Sequence, residues 1–211
     1  MITVTAFRMV PPFAQGLVKD LRVRWALEEA GLAYQEKLIG PDDQASAAYR
    51  AKQPFGQVPV LEIGDLTLFE SGSIVLHIAE QSEALMPPDA GGRARTRTWV
   101  LAALNSIEPS VDHLGDTEGD EAWAKARRPA ALEKVQRRLD DLEAWLGEKD
   151  YLEGRFTAGD LMMTTVLRNL RQTDIVAGRP RLNAYAARCQ ARPAFQKALA
   201  DHMRPFKANA A

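Results

Sequence analysis

The sequence predicts two structural units: a small α/β unit of order β-α-β-α-β-β-α, then an all-α helical bundle. Three observations carry this reading. In the first part, short apolar and β-branched runs alternate with stretches of helical period. Beyond it, nearly every segment repeats its apolar residues at helical spacing. Between them lies Met86-Pro87-Pro88-Asp89-Ala90-Gly91-Gly92, whose prolines and glycines suit neither a continuous helix nor a central strand. The α/β unit is therefore expected over residues 1–84, a linker over 85–92 and the bundle over 93–211.

Within the first unit, Ile2 to Phe7 reads as a strand. Val23, Ala26, Leu27 and Ala30 repeat at helical spacing, and Gly31 ends that helix. Tyr34 to Ile39 forms a second strand, and Ala45 to Lys52 a short helix. Val58 to Ile63 and Leu66 to Phe69 are separated only by Gly64-Asp65, which suits a two-residue hairpin. Ser71 then opens a helix carrying Ile74, Val75 and Ile78.

The bundle shows long amphipathic stripes. Val100, Leu104, Ile107 and Val111 share a face, with Pro109 expected to kink or end their helix. Ala131, Val135, Leu139, Leu142 and Leu146 make another stripe, closed by Gly147. At Phe156-Thr157-Ala158-Gly159-Asp160-Leu161 a helix begins. Thr157 and Asp160 have the spacing of a capping box, and Phe156 and Leu161 that of a hydrophobic staple. The Ala-rich end, Ala208 to Ala211, is expected to fray.

Charge narrows the function classes. The 27 Lys and Arg balance 28 Asp and Glu, so neither nucleic acid nor a membrane surface is an expected partner. With one cysteine, Cys189, there is no CxxC motif and no intramolecular disulfide; a packed thiol is expected. His77, His113 and His202 have no metal-ligand spacing, so no metal is expected. No apolar run spans a membrane and Met1 to Phe7 lacks a signal-peptide pattern, so a cytoplasmic protein is the expectation.

Chemistry concentrates in two motifs. In Gln53-Pro54-Phe55-Gly56-Gln57-Val58-Pro59, the proline sits where a strand should begin and cannot donate to its ladder. A cis Val58–Pro59 bond would free the Val58 N–H and C=O to pair with a peptide-like ligand; an ordinary strand-entry proline is the other reading. Glu70-Ser71 is the second motif. A helix N-terminus attracts a carboxylate and an adjacent Glu can bind an ammonium, together the groups of an α-amino acid. Ser71 as a plain helix cap is the alternative.

Taken together, these motifs resemble the cytosolic glutathione transferase family, in the form of a bacterial member without an assigned class. The resemblance covers essentially the whole chain. It rests on Gln57-Val58-Pro59, Glu70-Ser71, the run Arg22-Val23-Arg24-Trp25-Ala26-Leu27-Glu28-Glu29-Ala30-Gly31, and Thr157 with Asp160. It implies a thioredoxin-like first domain, glutathione as co-substrate, and a homodimer with the second domain's first helices at the interface. By resemblance, Val58 pairs with the cysteinyl backbone, Pro59 is the cis-proline, Glu70 and Ser71 hold the γ-glutamyl end, and Gln57 lies near the glycyl or cysteinyl portion.

One part of the family pattern is absent. Between Ala6 and Ala33 there is no Ser, Thr, Tyr or Cys to activate the thiol. Leu17 or Pro11 falls at the usual position, depending on the alignment, and the segment Val10 to Asp20 is longer than the usual loop. No catalytic residue is assigned. Gln15 and Lys19 are the candidates, with Arg22 and Arg8 as further positive charge and Thr5 the nearest upstream hydroxyl. Arg22 and Arg24 can alternatively pair with Glu28 or Glu29.

The expected function is transfer of the glutathione thiolate to a small apolar electrophile. Its site is expected between the domains, with Ala103, Asn105, Ser106 and Pro109 as lining residues. The alternatives are glutathione-dependent peroxide or disulfide reduction, and a non-catalytic binding or regulatory protein of the same fold.

Overall fold

Strand period and turn chemistry organise the first unit of the computed structural model, which describes residues 1–208. The end-fraying expectation concerns mainly 209–211, which lie outside the described residues. The strands β1 (Ile2–Phe7), β2 (Tyr34–Ile39), β3 (Val60–Ile63) and β4 (Leu66–Phe69) form one sheet of order β2-β1-β3-β4. β1 and β2 run parallel, from Ile2 opposite Tyr34 to Phe7 opposite Ile39, and so need a crossover. Helix α1 (Asp20–Ala30) supplies it. It ends in a Schellman motif, with the Gly31 N–H on the Glu28 carbonyl at 3.2 Å and the Leu32 N–H on Leu27 at 2.9 Å. Ile63 pairs with Leu66, so Gly64-Asp65 is the two-residue loop of an antiparallel hairpin.

Three expectations are corrected here. The helix expected over Ala45 to Lys52 is two short ones, α2 (Pro41–Ala45) and α3 (Ala47–Arg50). Ser46 is extended, ends the first, and accepts the Tyr49 N–H at 3.1 Å to cap the second. β3 begins at Val60 rather than Val58, because Pro59 has no N–H to give the ladder. In helix α4 (Ser71–Ala79) the N-cap position belongs to Glu70, and Ser71 is the first helical residue.

The described residues divide into two units, Met1–Met86 with Ala191–Ala211, and Pro87–Gln190. The last helix therefore belongs to the first unit. It is α10, numbered after the second unit's helices: α5 (Ala90–Ala102), α6 (Glu108–Gly115), α7 (Ala122–Leu146), α8 (Ala158–Leu167), α9 (Pro180–Gln190), then α10 (Pro193–Ala208). It packs on α1, with Trp25 and Phe195 edge to face at 4.8 Å. This explains why α1 buries Asp20, Arg22 and Arg24 as well as Leu21, Val23, Trp25, Ala26 and Leu27. Glu28 and Glu29 consequently face α10: Lys197 reaches Glu28 at 2.6 Å and Arg192 makes a two-pronged contact with Glu29. Arg24 pairs with Asp20 and Glu36 in place of Glu28 or Glu29, and Arg22 reaches Ser71 across the unit.

In the second unit, Pro109 lies in the first turn of α6, and the residues before it, Ala103–Ile107, open into a wide π turn. A proline has no N–H and crowds the carbonyl four residues back. The extra residue rotates the stripe, so Val100, Ala103, Ile107, Val111 and Leu114 are buried while Leu104 is half-exposed. The expected α7 stripe, Ala131 to Leu146, is buried throughout. α8 starts with the anticipated capping box: the Asp160 carboxylate accepts the Thr157 N–H at 2.9 Å, and the Thr157 hydroxyl accepts the Gly159 N–H at 3.2 Å. Asp160 also accepts from the Leu152 N–H at 2.9 Å and the Tyr185 hydroxyl at 3.1 Å. Gly159 lets α8 approach α5 closely, since a Cβ there would lie 2.6 Å from that of Trp99. Among the described residues no helix is long and apolar enough to cross a membrane.

Burial pushes the Asp160 carboxyl up to about 6 from 3.8, against the pull of its donors. Replacing Asp160 by Asn leaves a buried N–H without its acceptor, and about 1–3 kcal/mol of stability is expected to be lost. The folded protein holds this proton to higher pH than the unfolded chain does. The wild type's linked stabilisation is therefore full below pH 3.8 and declines as pH rises through about 6. Urea unfolding of both proteins between pH 4 and pH 7 checks this (~ three pH steps suffice); an Asp160→Asn midpoint equal to the wild type's at every pH would refute it.

Candidate active site

The β3–β4 register places the two sequence motifs together. Val60 is opposite Phe69, so Pro59, just before β3, and Glu70, just after β4, lie at the same end of the hairpin. The Val58–Pro59 peptide is cis. Val58 is buried in a cluster with Ile39, Tyr49 and Val60, against which Phe7 and Val18 pack. Val18 belongs to the segment preceding α1, and this contact seats that segment beside Val58. The loop is held from outside its own sequence. The Tyr49 hydroxyl donates to the Gln57 carbonyl at 2.7 Å, and the Gln44 amide donates to the Gly56 carbonyl at 2.5 Å. Within it, Gln53, itself buried, accepts the Phe55 N–H at 2.6 Å. Burial raises the Tyr49 hydroxyl to about 12, so it stays a proton donor. The Gln57 side chain is exposed.

Glu70 has φ 68° and ψ 113°, and is the one residue other than glycine with positive φ among the described residues. Such a conformation costs about 1–3 kcal/mol. Its carbonyl still accepts the Ile74 N–H at 3.0 Å, starting α4, while its side chain stays exposed. Ser71 is buried, and its hydroxyl accepts from Arg22 Nη1 at 3.1 Å. A buried guanidinium thus stands beside Ser71 at the helix N-terminus, and both favour a carboxylate there. Arg22, a candidate source of positive charge for the thiol, stands beside Ser71.

The segment before α1 contains a 3-10 turn, Pro12–Ala14. Gln15 is half-buried and its amide turns back to the Val10 carbonyl at 3.4 Å. Lys19 occupies the N-cap position of α1 and is exposed. Thr5 is buried in β1, and Arg8 is exposed, with its N–H on the Ile39 carbonyl at 2.9 Å. Gly16 donates its N–H to Nε2 of His202 at 3.2 Å, a contact across 186 residues that no sequence spacing signals. A cavity of about 630 Å³ opens between this segment and the ends of β1 and β2. Met9, Val10, Pro11, Pro12 and Ile39 line it, with Gln44 as a polar wall. Ile39 and Gln44 are also the residues that contact Val58 and Gly56, so this cavity abuts the cis-proline loop.

The second unit holds the remaining candidates. Ala103 is buried, while Asn105, Ser106 and Pro109 are exposed. Cys189 is buried. His77 is half-buried and His113 exposed, and among the described residues no group of three or more His, Cys, Asp or Glu is placed to hold a metal.

Comparison with known proteins agrees with this geometry. Residues 15–80 match the glutathione S-transferase N-terminal domain and residues 112–193 the C-terminal domain of that family. Glutathione S-transferase 4 of Zea mays is 31% identical over 191 residues, covering 83% of this chain and 85% of its own. A glutathione transferase of Burkholderia graminis, with two glutathione molecules bound per subunit, superposes with a TM-score of 0.81 at 26% identity, over 94% of this chain and 87% of its own. The theta-class enzyme of Xanthomonas axonopodis pv. citri, with glutathione bound, does so at 0.77 and 30% identity, over 94% and 96%. The fold is thus thioredoxin-like plus a helical bundle, and the chain belongs to the glutathione S-transferase family. Its activity class is glutathione-dependent transfer, with glutathione as co-substrate.

The strained Glu70 backbone yields a prediction. Glu70→Gly relieves the positive φ, and a gain of about 1 kcal/mol in stability is expected, with weaker glutathione binding. Paired urea unfolding and calorimetry check it; a variant less stable than the wild type would show that φ 68° is not strained here.

Proposed function

We propose that this chain binds glutathione along the cis-proline loop and the start of α4, and adds its sulfur to a small apolar electrophile held in the adjoining cavity. The carrying observation is Glu70: a non-glycine residue forced to φ 68° beside a buried Ser71–Arg22 pair. Its exposed carboxylate suits the γ-glutamyl ammonium. Ser71, with the helix N-terminus and Arg22 behind it, suits the neighbouring carboxylate. Val58 N–H and C=O pair with the cysteinyl backbone as an added strand would, and Gln57 lies along the glycyl or cysteinyl portion.

The thiol must then be ionised. A free thiol has a pKa near 8.5, and lowering it by about two units takes roughly 2.7 kcal/mol of preferential stabilisation of the anion. Without a hydroxyl in this segment, the groups proposed to supply it are the N-terminus of α1, the Gln15 amide and the Lys19 ammonium. The electrophile's apolar body fits the cavity of about 630 Å³ lined by Met9, Val10, Pro11, Pro12 and Ile39, a usual size for a small-molecule site. This supports a location built from the first unit, in place of one lined by Asn105 and Ser106. The protein is proposed to act in the cytoplasm as a homodimer through the first helices of the second unit, where Leu101 is 52% exposed.

A second reading, reduction of a disulfide or peroxide by glutathione, draws on the Burkholderia graminis relative, which holds two glutathione molecules in one subunit. Both readings need the same first glutathione. Titration calorimetry of reduced glutathione, with a Glu70→Ala/Ser71→Ala control, tests it. Binding that the double variant loses is the expected outcome, followed by conjugation of an aromatic halide, with release of the halide, at a higher rate than glutathione reduces an organic hydroperoxide to its alcohol and water with formation of glutathione disulfide. Absence of binding by a folded wild type would overturn both.

A further inference from the structure

The segment that replaces the usual hydroxyl is fastened to the far end of the chain. His202, on α10, is buried to 2% exposure with both ring nitrogens engaged. Nε2 receives the Gly16 N–H at 3.2 Å, and a backbone N–H can only donate, so this nitrogen carries a lone pair. Nδ1 lies 3.0 Å from Asp20 Oδ2 and so carries the proton. The ring lies edge-on against Phe206, with the centroids 5.3 Å apart.

What it holds is close to the chemistry. Gly16 is buried at φ 78°, a conformation that other residues adopt only at a cost. Two residues on, Val18 packs against the cluster containing Val58. Gly16 also lies between Gln15 and Lys19, the two side chains before α1 proposed to face the thiolate.

We propose that His202 is a positioning residue for the glutathione thiolate: its imidazole clasps the Gly16 amide and keeps the 10–19 segment seated against the cluster that contains Val58. The proposal rests on the glutathione site described above. His202 is shut off from solvent and has no free nitrogen, so it acts through Gly16 and not on the substrate. The charged groups of the surrounding network are Asp20 and Arg24 on α1, Glu36 on β2, and Asp201 and Arg204 on α10 itself.

His202→Leu and His202→Gln test this. Leucine offers Gly16 no acceptor, while the glutamine amide oxygen reaches toward the Nε2 position. Three quantities are read: calorimetric affinity for reduced glutathione, the thiol pKa of bound glutathione from thiolate ultraviolet absorbance, and hydrogen exchange of the peptide spanning 10–19. In His202→Leu the affinity should stay within about threefold. The thiol pKa should rise by about one unit, or about tenfold less thiolate at a given pH well below it. Exchange in 10–19 should quicken by about tenfold, with glutamine restoring most of both effects. A folded His202→Leu protein with unchanged thiol pKa and unchanged exchange would overturn the proposal. Should that variant not fold, His202→Asn decides: its shorter amide can still face Asp20 but does not reach Gly16, so faster exchange in 10–19 is expected, and wild-type exchange with a wild-type thiol pKa would overturn the proposal. A wild type that binds no glutathione, with exchange in 10–19 still quickened in the variants, would refute the function and leave the clasp standing.

Discussion

The first unit depends on a carboxylate buried at the start of α1. Asp20 is 1% exposed and takes contacts from Arg24 on its own helix and from His202 on α10. Burial by itself would raise its pKa; the His202 hydrogen bond and the Arg24 guanidinium outweigh it and hold it below its ordinary 3.8. An uncompensated charge at such a place costs several kcal/mol, about 3–5 on removal of one partner. The pairing therefore selects a unique packing of the last helix on the first. From Arg24 the network continues to Glu36 on β2 and returns through Arg204 to α10. One crossover helix, one strand and the chain's last helix are thus keyed by charge as well as by the Trp25–Phe195 contact.

The second unit uses the same element differently. Asp160 is also fully buried, but its partners are N–H and O–H donors rather than cations. Without a neighbouring cation to offset burial, its proton is held more tightly, whereas that of Asp20 is held less tightly. In both units the buried carboxylate sits in the first turn of a helix, where the dipole favours it. Each joins that helix to a segment remote in sequence.

These constraints converge on the site. The β3–β4 register fixes Pro59 and Glu70 at one end of the sheet. Tyr49 and Gln44 hold the carbonyls of the loop before Pro59. Arg22 reaches Ser71 from α1, so the helix whose start faces the proposed thiolate also supports the opposite end of the proposed glutathione. The apolar wall of Met9, Val10, Pro11 and Pro12 comes from the segment between β1 and α1. The proposed binding residues are thus carried on strand ends and helix starts, and the proposed thiolate partners on the loop they enclose.

The local features were legible in the residues themselves. The first two strands, the Gly64-Asp65 hairpin, the Gly31 stop, the Thr157–Asp160 box and the α7 stripe all depend on neighbours within about five residues or on a simple period, which a sequence displays. The motifs at Val58-Pro59 and Glu70-Ser71 were readable for the same reason. Pro109 breaks its helix as expected, but the π form of the turn before it, the extended break at Ser46 and the positive φ of Glu70 are imposed by what surrounds the backbone, not by its composition. Least visible were the long-range choices. Arg22 reaches Ser71, 49 residues on, and α10 returns to α1 and carries His202 to Gly16. Those pairings are made between elements that nothing in the linear pattern brings together, and only the cost of leaving Asp20, Arg22 and Arg24 buried without partners decides them.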